Sequence, residues 1–272
     1  MFNTKIYLTH LLDRRKNMII KRLFAVTMAV VITVATFTVS ASSVKITDNE
    51  TYKPGANGSL YFPEDQTYPA DYSQEDIRRT EEKLAMTEQL AKDTYVLTNT
   101  ARSTYTSIPG TFTIFQQQND WFCVPASVRS VLYYINGSAP SQSSIASSIG
   151  TVDYVGTNAL NATSYLNQQQ SANWYASRSS VTQSIMYSSL RVSIITAKVP
   201  ALIGATSPSS GGFLPYSTSG HCVVANAIKN DNTYVQCADP LGGRSNGSGG
   251  TYSYQIYCPI SKAPSYVTAL IY

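Results

Sequence analysis

Apolar residues recur at helical spacing through the first part of the chain and shift to alternating or unbroken runs towards its end. After a polar stretch holding Gln116, Gln117 and Gln118, the residues Val128, Val131, Leu132 and Ile135 share one face of a helix predicted from about Pro125 to Asn136. Pro125 suits a first turn, where its missing N–H has no partner to lose, and Gly137 suits the stop. Ser141–Ile149, Asn158–Gln170 and Val181–Val192 read as further helices, the first opened by Ser141 and closed by Gly150. Upstream, the stretch 44–72 reads as coil; Ser73-Gln-Glu-Asp76 then resembles a capping box for a helix from Glu75 to about Leu97. Its apolar stripe of Ile77, Leu84 and Ala91 is narrow, with Glu81, Glu82 and Glu88 mainly off it, so this helix wants a surface to cover.

Strand patterns dominate the later part. Trp174–Ser177 is a short candidate and Ala201–Ala205 (ALIGA) reads as a buried strand. Residues 207–220 read as loop. His221–Ile228 and Thr233–Ala238 form a predicted hairpin with Lys229-Asn-Asp-Asn as its turn; Tyr252–Cys258 and Val267–Ile271 complete the set. Helices first and antiparallel strands later give an α+β fold class. No internal repeat is evident.

Charge divides the chain into three. Residues 1–41 carry +5, residues 42–110 carry −4 and residues 111–272 carry +3. Lys21 and Arg22, the uncharged run Leu23–Val39 and the small residues after it make a secretory signal, with cleavage predicted after Ala41. An uncleaved membrane anchor is the rival reading. Met18 would make a more ordinary start than Met1. The expected localisation is secreted, with no stable membrane association once the signal is cut. Without its leader the chain carries −1 and has no basic stripe, which gives no electrostatic case for a nucleic-acid partner. Residues 42–110 read either as a propeptide covering a cleft in the 111–272 domain or as a permanent brace.

Cys123 sits where the predicted helix begins. Unpaired amides and the helix dipole there favour a thiolate. The chain has two histidines; His10 lies in the leader, which leaves His221 as the one imidazole available to exchange the proton. A buried structural thiol remains the bland reading of Cys123. His221 opens one strand of the hairpin and Asp239 closes the other. With a three-residue loop centred on Asn230 they face each other, with Cβ atoms about 4.5–5.5 Å apart. A two-residue turn breaks that alignment unless a bulge restores it. Asp239-Pro240 equally reads as a plain turn opener.

Gln117 six residues before Cys123, then Cys-Val-Pro-Ala-Ser, Gly-His-Cys-Val-Val-Ala and Ala-Asp-Pro-Leu, resemble in their order the C39-like cysteine peptidases. The resemblance covers about Ile114 to Cys258. It implies a papain-like fold with N-terminal helices packed on an antiparallel sheet. It implies Cys123 as nucleophile, His221 as general base and acid, Asp239 as orienting carboxylate, and Gln117 as an oxyanion donor beside the Cys123 N–H. Gln116 and Gln118 compete with Gln117 for that role. The implied partner is a peptide or protein substrate, with no cofactor. Val124 stands where family members often have glycine and would crowd the cleft if it faced it.

A cell-wall peptide amidase or acyltransferase would use the same residues, and a non-catalytic extracellular binding domain could share the fold. Gly243-Arg-Ser-Asn-Gly247 matches a serine-nucleophile pattern, but no helix signal follows it. One mature histidine and no C-x-x-C is a poor metal set. Cys222, Cys237 and Cys258 allow three pairings; opposite faces disfavour Cys222 with Cys237, and Cys258 is the better partner for either.

Overall fold

The computed structural model describes residues 59–63, 68–94, 104–208 and 210–272, all within one compact unit. The predicted leader, its cleavage site and the alternative starts lie outside the described residues. The two unbroken apolar runs become the middle of a sheet. They are β5 (Ala201–Ser207) and β6 (Thr218–Lys229). Such runs arise where a strand is covered on both faces. Leu202, Cys222 and Val224 enter one core, while Ile203, Val223 and Ala225 enter the other.

The chain order is β1 (Leu60–Tyr61), α1 (Gln74–Thr94), β2 (Tyr105–Ser107), α2 (Cys123–Asn136), α3 (Gln142–Ile149), β3 (Thr157–Asn158), α4 (Ala159–Gln169), β4 (Ser177–Arg178) and α5 (Gln183–Leu190). A π-helical turn, Arg191–Ala197, leads into β5 and β6. Then come β7 (Tyr234–Ala238), β8 (Gln255–Pro259), α6 (Ala263–Tyr266) and β9 (Val267–Ile271). The main sheet runs β4-β9-β5-β6-β7-β8, with β2 added beside β6, and its described pairings are antiparallel. Helices α2 and α4 lie on one face and α5 on the other. The fold class is therefore α+β.

Local chemistry explains most boundaries. Ser141 accepts from the Ser144 N–H and Gly150 closes α3 at φ 65°. Asn158 and Thr182 cap α4 and α5 in the same way. Gly137 ends α2 at φ 73°. The predicted start of α2 needs correction, because the helix begins at Cys123 and Pro125 stands third in it, among the amides that have no helical partner. The predicted helix Val181–Val192 is also revised: it is α-helical only over Gln183–Leu190 and then widens. There the Ser193 hydroxyl and carbonyl bond to Val199, and Lys198 turns the chain at φ 60°. The short strand expected at Trp174–Ser177 is displaced to Ser177–Arg178, paired with β9.

The hairpin register differs from the prediction. Ile228 pairs with Val235 across an even loop, Asn230–Thr233, which by itself would put His221 and Asp239 on opposite faces. A bulge at Asn226 moves the pairing to Ala225 with Cys237 and Val224 with Ala238. Asn226 turns its carbonyl to the Ile108 N–H at 3.0 Å, which accounts for the extra residue. Carried on by one step, the shifted register sets Asp239 opposite Val223, so Asp239 and His221 are diagonal neighbours on one face.

One strand, β1, lies within the stretch 44–72 that reads as coil. β1 lies parallel to β3, and its Leu60 is fully buried in the same core as Cys123. It fits because Gly204 and Gly220 have no Cβ; one added there would lie 2.7 Å from Leu60 and 2.3 Å from Ser59. α1 starts with the predicted cap, Asp76 accepting from the Ser73 N–H at 2.8 Å. Its Lys83 donates to Asn173 Oδ1, the Trp174 carbonyl and the Tyr272 carbonyl at 3.0, 2.6 and 2.8 Å. Trp174 in turn donates to Thr80. No described helix is long and apolar enough to cross a membrane.

Candidate active site

Three elements converge. The first residue of α2 brings Cys123, the start of β6 brings His221, and the residue after β7 brings Asp239. His221 Nε2 lies 2.8 Å from Asp239 Oδ1. The ring also hydrogen-bonds Cys123, and since Nε2 is engaged, Nδ1 faces the sulfur. The structure therefore brings the predicted Cys, His and Asp into one hydrogen-bonded row, and the bulge at Asn226 makes it possible.

Asp239 is fully buried. Its Oδ1 also accepts from the Leu241 N–H at 2.9 Å, and its Oδ2 accepts from the Tyr216 hydroxyl. Burial alone would push the His221 pKa down. The Asp239 carboxylate, its hydrogen bond and the hydrogen bond to Cys123 outweigh burial and raise it from 6.5 to about 10. The imidazole is thus held as a cation at neutral pH. Burial first, and then the Asp239 charge, hold the Tyr216 phenol far above its ordinary pKa.

Gln117 lies nearby and is the buried member of the three glutamines. Its N–H bonds to the Pro240 carbonyl at 2.9 Å, which ties it to the residue after Asp239. Its side-chain Nε2 donates to the Asn119 carbonyl at 2.8 Å, which fixes the amide orientation and leaves a second N–H on that nitrogen. Gln116 instead donates to the Gly242 carbonyl, and Gln118 bonds to Gln142 through its backbone. A cleft of about 220 Å³ is lined by Gln117, His221 and Tyr216, with Asp120 and Arg244 paired at 2.7 Å on its wall. Cys123 is fully buried beneath it.

Val124 points away into the helical core, so it does not crowd the cleft. Ser245 lies in an irregular loop with no helix after it, which is not the setting of a serine nucleophile. Cys222 shares a core with Cys123, on the face of β6 away from His221. Cys237 hydrogen-bonds Cys258 from the neighbouring strand, and no disulfide joins any two of the four cysteines. Among the described residues no group of three or more His, Cys, Asp or Glu could hold a metal.

Two members of the site were missed by sequence reasoning. Tyr216 is one of 20 tyrosines in a loop without periodicity, and its approach to Asp239 depends on how that loop folds back. The Leu241 amide had a weak signal, since an aspartate in Asp-Pro-Leu commonly accepts from the N–H two residues on.

One comparison with known proteins bears on this site. The model of the Peptidase_C39 like family matches residues 111–262, which holds every residue of the row. Among solved structures, the chain is similar to xylellain, a cysteine protease from Xylella fastidiosa. That similarity has a TM-score of 0.47 and 10% identity, over 83% of this chain and 98% of the other. No curated protein matches.

Proposed function

The chain belongs to the Peptidase_C39 like family and is a cysteine peptidase; from that premise we propose that it is secreted and cuts peptide bonds through an acyl-enzyme on Cys123. The observation that carries this reading is the row Cys123–His221–Asp239 beneath a cleft lined by Gln117. Cys123 Sγ attacks the peptide carbonyl carbon as a thiolate, with His221 already protonated. The oxyanion is met by the second Gln117 N–H and the backbone amide of Cys123. His221 then gives its Nδ1 proton to the leaving amine. A water takes the place of the amine, loses a proton to His221, and releases the acid product. Asp239 keeps its charge throughout and holds the ring through Nε2.

Residues 59–110 act in this reading as a permanent brace. Their described residues give Leu60 to the core that holds Cys123, a strand to β6 and a helix over α5, and no described side chain among them lines the cleft. Expected partners are a peptide or protein substrate, without nucleic acid.

The test is labelling of secreted protein by a peptidyl electrophile. Wild-type chain should be labelled once, at Cys123, and Cys123→Ala should not be labelled at all. Equal labelling of Cys222, Cys237 or Cys258 in folded protein would remove the nucleophile assignment. N-terminal sequencing of the same sample checks secretion, with a start near Ser42 expected.

A further inference from the structure

We propose that Tyr216 is a positioning residue of this site: its hydroxyl pins the second oxygen of Asp239, so that the first stays aimed at His221. The proposal rests on the Cys123–His221–Asp239 reading above. A carboxylate bound through one oxygen can rotate about its χ2 axis, which is a soft torsion. Here Oδ1 receives two N–H donors, from His221 and Leu241, and Oδ2 receives the Tyr216 hydroxyl. With both oxygens held, the carboxylate plane has one setting. A phenol donating to a buried carboxylate is a charge-assisted bond, about twice as strong as a neutral one.

The ring is fixed as well. Tyr216 packs edge-on against Tyr252 at 4.9 Å and against His221 at 6.0 Å. It also lines the cleft, so it stands between solvent and the Asp239–His221 bond. Tyr216 thus supplies two separable things, a hydroxyl on Oδ2 and a ring that keeps water off the pair.

The groups that can change charge around this pair are few. Asp239 and Cys123 face both His221 and Tyr216, Cys258 and the Tyr252 phenol face Tyr216, Cys237 lies near Asp239, Cys222 lies next to His221 in sequence, and Asp120 and Arg244 stand on the cleft wall. A donor on Oδ2 takes up part of the negative potential of Asp239. Removing it leaves more of that potential for the imidazolium, so the His221 titration should move to higher pH.

The test is Tyr216→Phe in the full secreted chain, with wild type and Cys123→Ala beside it. Phenylalanine keeps the ring against Tyr252 and removes the hydroxyl alone. Peptide cleavage, thermal unfolding and the His221 ring signal by NMR are measured across pH. Support is a fall in kcat of roughly tenfold, an unchanged KM, an unchanged melting temperature and an upward shift of the His221 titration. An unmoved His221 titration overturns the proposal, whether kcat is retained or falls together with melting temperature, the latter marking a structural role. If wild type cleaves no more than Cys123→Ala, the peptidase reading fails by itself; the NMR titration still decides the role of Tyr216.

Discussion

Two basic side chains stand on opposite sides of this protein's chemistry, the buried His221 in the site and the half-buried Lys83 in the N-terminal helix. Burial disfavours the charge on both. His221 nevertheless rises to about 10, while Lys83 falls to about 7. The difference lies in the partners. His221 has a carboxylate at 2.8 Å, whereas Lys83 has the Asn173 amide oxygen, the backbone oxygens of Trp174 and Tyr272 and the faces of two tyrosines. At His221 the Asp239 carboxylate outweighs the loss of water; at Lys83 burial dominates. The same contrast sets how stability depends on pH. The His221 pKa is raised on folding, so its contribution is complete below 6.5 and is lost as pH rises through about 10. The Lys83 pKa is depressed, so the unfolded chain holds a proton that the folded one lacks between about 7 and 10.5, and stability rises across that window. Each slope is about 1.4 kcal/mol per pH unit, and the two oppose each other. Between about pH 7 and 9 the two therefore largely cancel, and above that the raised thiol pKa values of Cys222 and Cys237 make stability fall.

The most severe way to break the pairing is to remove one side of it. A chain of residues 111–272 lacks Lys83, β1, α1 and β2, and opens the core at Leu60. It should show no cooperative unfolding transition by circular dichroism and no peptidase activity. If it folds and cleaves faster than residues 42–272, the N-terminal region is an inhibitory propeptide and the brace is wrong. Asp239→Asn comes next, because it leaves His221 a dipole without charge as its partner. The His221 titration should drop sharply by NMR, and kcat should fall by about 10³–10⁴. A titration that stays near its starting point would mean that something other than formal charge sustains the imidazolium. Gln117→Ala removes a neutral donor from the same site. It should lower kcat by about 10²–10³ and leave the His221 titration in place. If that titration moves with it, Gln117 supports the ion pair instead of the oxyanion.

The two regions were not equally legible in the sequence. Around the site the pattern spoke clearly. A helix after Cys123, an apolar strand after His221 and a polar stop at Asp239 each follow from local spacing. The α+β class followed from the same patterns. What the spacing could not supply was the register. The even loop at Asn230–Thr233 and the bulge at Asn226 are two departures that offset each other, and the bulge answers a contact with Ile108, more than a hundred residues away. Gln117 was separated from Gln116 and Gln118 only by which of them the fold buries. The brace was harder to read. β1 is too short to show a period, and it is held by close approach to Gly204 and Gly220. No sequence signal sets Lys83 apart from the other charges of its helix. Its burial depends on Trp174 and Tyr272, which come next to it only when the fold closes.

Lys83→Met is the gentlest change and the sharpest test of the contrast. Methionine keeps the aliphatic stem against Tyr175 and Tyr272 and removes the amine. The carbonyls of Trp174 and Tyr272 lose a donor, which costs about 1–3 kcal/mol if they stay dry. Against this, the variant no longer buries an amine that resists its charge, so the net change at pH 7 should stay within about 2 kcal/mol. Activity at pH 7 should be unchanged, since no atom of Lys83 reaches the cleft wall. The informative quantity is the slope. With the lysine gone, nothing opposes the His221 dependence, so stability measured by urea unfolding should fall steadily from pH 7 to 10. A variant with the wild-type slope between about pH 7 and 9 would show that the oxygens around Lys83 hold its ammonium charged throughout.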